Sequence, residues 1–200
     1  LYPVINQLNL MISKTSANTF LSEADKNYYL GEAYGMRAYL YFHLLRSWGD
    51  VVIHTDPTDG ATIDISKLAK AASPATQVME LIKSDIEASE KAFGDDYNFK
   101  YGRHYWSLPA TLMLKGDVYL WSGKQMGGGS ADYQTAKAAL QEVSKADVTL
   151  INDFASVFAY TNKKNKEIIF TFHSQKDEFN MWKGSYSGVM LPQDNYMVLY

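Results

Sequence analysis

In a chain of 200 residues with no cysteine, chemistry has to come from carboxylates, imidazoles, cations, amides and aromatic rings. The lack of thiols removes Cys nucleophiles, disulfides and Cys-based zinc sites. The four histidines, at positions 43, 54, 104 and 173, are scattered. His43 falls inside a helical run beside aromatics and reads as a packed or partly exposed helix residue. Asp56, Asp59 and Asp64 lack the alternating oxygen ligands and closing glutamate of a calcium loop, so no metal is expected. Lys163, Lys164 and Lys166 read as a solvated basic run before a strand. There is no glycine-rich phosphate loop ending in Lys-Ser/Thr, no His-Glu-x-x-His and no Gly-x-Ser-x-Gly, and no cofactor is expected. A glycosidase would need two carboxylates across a sugar cleft. Asp177, Glu178 and Asp194 are candidates, but their spacing fixes no such geometry, and a non-enzyme is expected.

The aromatic rings are more informative. The chain holds 15 Tyr, 9 Phe and 4 Trp, 14% of its residues. Trp182 and Tyr186 stand four apart in a Gly-punctuated stretch, with only Lys183, Gly184 and Ser185 between them. Asn180 and Gln175 lie close by in sequence. A sugar ring has an apolar C–H face and a rim of hydroxyls, so a flat ring beside amides suits it. The expected ligand site is therefore Trp182, Tyr186, Asn180 and Gln175. The other reading of the same rings is that they fold back and cap a helical core. Arg37 sits on an apolar helical stripe between Tyr34 and Tyr41. An unpartnered buried guanidinium is costly, so it should bond backbone carbonyls or a carboxylate and act as a structural organiser.

These side chains need elements to hold them. Val4, Ile5, Leu8, Met11 and Ile12 fall at helical spacing. The clearest helix runs from about Ser22 to Trp48, with Ser22 and Asp25 as a capping-box-like start. Its stripe is Leu30, Ala33/Tyr34, Arg37/Ala38, Tyr41, Leu44/Leu45 and Trp48. Val51–Ile53 is a brief extended piece. Ser73, as cap, and Pro74 open the next helix, with Val78, Leu81/Ile82, Asp85/Ile86 and Ser89 inward and Gly94 as C-cap. A third helix starts near Ser107-Leu108-Pro109 and stops at Gly123. A fourth spans about Asp132 to Lys145. Gly116 and Tyr119, then Ala136 and Leu140, give this pair a tetratricopeptide-like pattern of small and large residues; a generic helical hairpin reads equally well. Ile168 to Phe172 is β-branched and aromatic, and predicts a strand.

The expectation is a mainly α fold: tetratricopeptide-like hairpins with an irregular, loop-rich segment and minor β. It comprises one domain over 1–200, incomplete, with a helical body over 1–147 and an irregular segment over 148–200 carrying a short strand near 167–173. The start at Leu1 and the end at Tyr200 read as those of part of a longer protein. The net charge of -3 argues against nucleic acid as a partner, and no apolar run approaches the length of a membrane span.

The long helix, Glu32-Ala33-Tyr34-Gly35-Met36-Arg37-Ala38 through Tyr41-Phe42, Leu44, Arg46 and Trp48-Gly49-Asp50-Val51, resembles that of the SusD/RagB family. Val52 stands where that family usually has Pro. Ser73-Pro74-Ala75-Thr76, Ile82 to Ile86, Gly102-Arg103, Ala110 to Leu120, Tyr133 to Val143, Leu150, Phe154, Phe158 and Asn165-Lys166-Glu167-Ile168-Ile169-Phe170 follow in the family's order. The resemblance covers roughly residues 22–173. It implies a non-catalytic nutrient-binding lipoprotein on the cell-surface face of the outer membrane, held there by a lipid anchor that this chain lacks. It further implies a SusC-like TonB-dependent transporter as partner, and a glycan, or in some members a peptide, as ligand. Family members tend to place ligand-facing aromatics after the Ile168–Phe170 run, where Trp182 and Tyr186 lie. A protein-interaction scaffold without its own ligand is the alternative.

Overall fold

A computed structural model describes residues 1–58 and 69–173. They form two compact units, Leu1–Phe170 and the start of Thr171–Tyr200. The first unit is helical: α1 (Tyr2–Ser16), α2 (Glu23–Trp48), α3 (Ala75–Phe93), α4 (Leu108–Gln125), α5 (Gly129–Glu142) and the single turn α6 (Phe154–Val157). Short 3-10 turns occupy Val143–Lys145 and Tyr160–Asn162.

The central element is α2. Ser22 caps it, its hydroxyl accepting the Asp25 N–H at 3.1 Å, and Gly49 ends it at φ 71. Ala33, Ala38, Tyr41, Leu44 and Leu45 are buried in the main core with Ile5, Val78, Ile82, Ile86 and Leu112. The buried stripe ends at Leu45, because Trp48 in the last turn is exposed. Two glycines inside α2 explain how closely its neighbours approach. A Cβ on Gly31 would lie 2.8 Å from the Phe93 ring, and one on Gly35 only 2.0 Å from Trp106 Nε1. Glycine inside a helix costs about 1 kcal/mol relative to alanine, and here the packing of two aromatic rings offsets it.

Beyond α2 the chain turns back over α1. The Tyr41 hydroxyl accepts the His54 N–H at 2.8 Å and donates to the His54 carbonyl at 3.0 Å, while Asn9 donates to the same carbonyl. The extended piece at Val51 is a single antiparallel bridge to Ser73. That pairing changes the start of α3. Ser73 was expected to cap it, but its backbone is spent on Val51, and Pro74 takes the cap position. The free N–H of Ala75 is accepted by Asp50 instead, at 2.8 Å. A long-range carboxylate thus does what the local serine was expected to do.

The α4–α5 pair packs as a tight hairpin. A Cβ on Gly116 would lie 2.6 Å from Leu140, and one on Gly123 2.5 Å from Tyr133, both in one antiparallel register. Gly123 therefore does not end α4, which runs two residues further, and α5 begins at Gly129, before the expected Asp132. Gly127 and Gly129, at φ 79 and 56, make the turn.

Among the described residues, 167–173 contain no strand. The Ile168 N–H bonds the Asn165 carbonyl and the Ile168 carbonyl accepts from Arg103, so the start of this run is spent on a local turn and a side chain. High β-propensity makes a strand only where a partner strand is available.

Candidate functional site

Gln175, Asn180, Trp182 and Tyr186 lie outside the described residues, as do Asp177, Glu178 and Asp194. The structure shows the body that precedes that segment in the sequence. It is organised around two buried arginines.

Arg37 lies where α1, α2 and α3 meet. Its Nε and Nη2 donate to the two Asp85 carboxylate oxygens at 2.8 and 2.7 Å, and Nη1 donates to Asn9 Oδ1 at 2.8 Å. All three residues are buried. The bidentate geometry holds the guanidinium above its ordinary basicity despite the opposing burial. Tyr34 faces it, with the guanidinium carbon 5.3 Å from the ring centre.

A second polar network joins α2, α3 and α4. Trp106 Nε1 donates to the Thr111 hydroxyl at 2.8 Å, which shares a hydrogen bond with Ser89, and Ser89 donates to the Gly31 carbonyl. Glu32 accepts the Trp106 N–H at 3.3 Å. Burial raises the Glu32 carboxyl above the usual glutamate range, and this hydrogen bond opposes the rise.

Arg103 holds the other end of the body. Its Nη1 and Nη2 donate, each at 2.6 Å, to the carbonyls of Ile168 and Asp147, and its guanidinium lies 3.9 Å from the Phe99 ring centre. Phe170 then packs on Trp106, ring centres 5.0 Å apart. The last stretch of the first unit is therefore tied to the loop between α3 and α4. That loop also carries a cluster of partly exposed rings: Tyr101 lies 5.2 Å from Tyr28 and 5.6 Å from Tyr105, with Lys100 over both Tyr28 and Tyr101. A groove of about 370 Å3 beside it is lined by Tyr97, Phe99, Lys100, Arg103, Asp147 and Lys164. A second groove of about 500 Å3 lies between α1 and the Val52–Thr58 stretch. There the Tyr2 hydroxyl bonds the Val52 carbonyl and Asn6 bonds Thr58 three times, so little hydrogen-bonding capacity remains for a ligand.

Among the described residues no group of three or more His, Asp or Glu could hold a metal ion, and no helix is long and apolar enough to cross a membrane. His43 is exposed and packs edge-on against Tyr39. Lys166 pairs with Asp147 and Lys163 lies over the Tyr160 ring, so this basic run is partly engaged. The sequence reading gave Arg103 and the Tyr101–Tyr105 cluster no role. The available signal was an arginine after a glycine in an unusually aromatic loop.

A long central helix laced by polar networks, followed by a close-packed helical hairpin, defines the class. Comparison with known proteins defines the family. A SusD-like family model, described as "Starch-binding associating with outer membrane", matches residues 1–110, and the chain belongs to that family. It is similar to B. fragilis NanU, with 65% identity and a TM-score of 0.85 over 93% of this chain and 36% of that one. It is 32% identical over 143 residues to SusD-like protein P38 of Formosa agariphila, which covers 70% of this chain and 24% of that protein. A structure solved with a xylogluco-oligosaccharide is similar at 25% identity and a TM-score of 0.68, over 84% of this chain and 33% of that one. The chain thus spans about a quarter to a third of the length of these proteins.

Proposed function

We propose that this chain is part of a non-catalytic glycan-binding protein at the outer-membrane surface, which passes its cargo to a SusC-like TonB-dependent transporter. The observation that carries this reading is membership of a family described as starch-binding and outer-membrane-associated. The relative solved with a xylogluco-oligosaccharide supports carbohydrate as the ligand class. In this reading Trp182 and Tyr186 stack on sugar faces while Asn180 and Gln175 bond hydroxyls. Stacking of this kind contributes on the order of 1 kcal/mol beyond buried area, so affinity stays modest, as release to a transporter requires. The α4–α5 hairpin offers a broad surface for the transporter, and a lipid anchor outside this chain holds the whole protein at the membrane. Arg37 organises the body and does not touch ligand.

A glycan array with product analysis tests the function. Binding without new reducing ends is expected; cleavage products would establish an enzyme, and binding of peptides alone would move the ligand class. Trp182→Ala should abolish glycan binding and leave the thermal midpoint nearly unchanged. A collapse in stability would instead assign that ring to the core.

A further inference from the structure

We infer that the Phe154–Phe158 ring pair, flanked in the chain by Leu150 and Tyr160, is a docking face for polypeptide outside residues 1–200, the part of the whole protein that its longer relatives also carry. The four side chains are between 73% and 82% exposed. Elsewhere among the described residues only Phe20 is as exposed among the large hydrophobics. Single exposed apolar side chains are ordinary, but four on one short stretch mark an interaction surface. The backbone under them is firmly held. Asp153 caps α6, its carboxylate accepting the Ala155 and Ser156 N–H groups at 3.2 Å each. Buried Asn165 donates to the Val157 and Asn162 carbonyls at 2.9 and 3.0 Å, and Asn162 donates to the Ser156 carbonyl at 2.9 Å. An amide is therefore inside and the rings are outside, the reverse of what a turn facing water requires. Phe154 and Phe158 meet edge to face, ring centres 5.2 Å apart, on this anchored base.

Two observations choose the occupant. B. fragilis NanU, 65% identical, is matched over only 36% of its length, so a protein of that design has a large further body to pack against this one. The charges around the rings are also of both signs. Asp153 and Glu167, which accepts the Ile151 N–H at 2.9 Å, stand with Lys163 and Lys164, and Lys163 lies 3.7 Å from the Tyr160 ring centre. An anionic lipid surface calls for a rim of one sign. An apolar centre with a mixed polar rim is the pattern of contact between folded polypeptides, domains of one chain included. The inference rests on the length of the relatives and not on the glycan reading.

Hydroxyl-radical footprinting of the whole protein reads the cover. Oxidation follows exposed area, so a ring passing from the 78% of Phe154 to the 8% of Phe93 slows about tenfold. Slowing of that order at Phe154 and Phe158, relative to the urea-unfolded protein, is expected at every protein concentration. A rate at either ring closer to that of the unfolded chain than to that of Phe93 overturns the inference. Slowing that is lost on dilution, as a second copy would give, or that needs added phosphatidylglycerol vesicles, overturns it too. The occupant is then read by photolysing the whole protein with p-benzoylphenylalanine in place of Phe158, in a mixture of isotope-labelled and unlabelled copies. A crosslink within one copy to a peptide outside residues 1–200 is expected. A crosslink inside residues 1–200, one to another copy, or none at all overturns the inference. The footprint needs no variant, so it decides even where the photoreactive residue impairs folding. Neither measurement involves a glycan, and failure of both leaves the function proposed above standing.

Discussion

Arg37 and Arg103 are buried to nearly the same degree, 6% and 7% exposed, but the two regions answer their charges differently. Around Arg37 the charge is closed: a carboxylate takes two donors, an amide takes a third, and three helices are locked together. Around Arg103 it is looser: two backbone carbonyls take the hydrogen bonds, and the Asp147 carboxylate attracts the guanidinium without forming an ion pair to it. The first arrangement suits a keystone, because nothing is left over for another molecule. The second ties the α3–α4 loop to the Asp147 and Ile168 stretches through the backbone. Burial of a cation is therefore a poor guide to its role until its partners are known.

The sharpest way to break the comparison is Arg37→Ala. It leaves Asp85 as an uncompensated buried carboxylate, and should cost about 3–5 kcal/mol in urea unfolding. Arg37→Met with Asp85→Leu should recover most of that loss, because the charges are removed together. An unfolding midpoint unchanged in Arg37→Ala would sink the keystone reading. Next in size is Gly35→Ala, which puts a methyl group against the Trp106 ring. The gain in helix propensity of about 1 kcal/mol should be outweighed, leaving a net loss of about 1–3 kcal/mol by thermal unfolding. Arg103→Ala removes two hydrogen bonds to carbonyls and leaves no orphaned charge. A smaller loss of about 1–2 kcal/mol is expected, concentrated in faster amide exchange over residues 145–170 while α1–α3 stay protected.

The smallest effect sharpens the contrast from the acidic side. Glu32 is a half-buried carboxylate without an ion-pair partner among the described residues, and its folded value is raised by burial. A raised carboxyl contributes stability at low pH that is lost as pH rises through its folded value. Glu32→Gln should remove that loss, so the variant's stability should gain on the wild type's as pH climbs above 4.5. Asp147 behaves oppositely. Its hydrogen bond from Lys166 lowers its folded value, so its contribution is present at neutral pH and lost on acidification through that value. Urea midpoints of wild type and Glu32→Gln between pH 4 and 7 check the sign.

Much of the helical body was legible because its signals are local. Ser22 and Asp25 marked the start of α2, and Gly94 marked the end of α3 at φ 59. The inward face of α3, with Asp85 among apolar residues, was plain from its spacing. Signals that depend on distant partners were not legible. Gly123 resembles a helix stop in isolation, but it is the contact that admits Tyr133. Gly31 and Gly35 carried a hint, two glycines one turn apart in a helix, whose meaning depends on Phe93 and Trp106. The Ile168–Phe172 run has a strand's composition, but its first residue bonds Asn165 and Arg103. Nothing in the order of residues says that Asp50 would cap α3. The expected ligand residues, Gln175, Asn180, Trp182 and Tyr186, stay a sequence-based proposal.

The Val51–Ser73 bridge and the Asp50 cap have a further consequence. Together they fasten the two ends of the intervening chain, with bridge hydrogen bonds of 3.2 and 2.9 Å and the cap at 2.8 Å. Loop closure grows only slowly more costly with length, so residues can be added between these ends without moving the first turn of α3. The chain that leaves this fastening is joined to the Arg37 network all the same, because Asn9 both donates to the His54 carbonyl and accepts from Arg37.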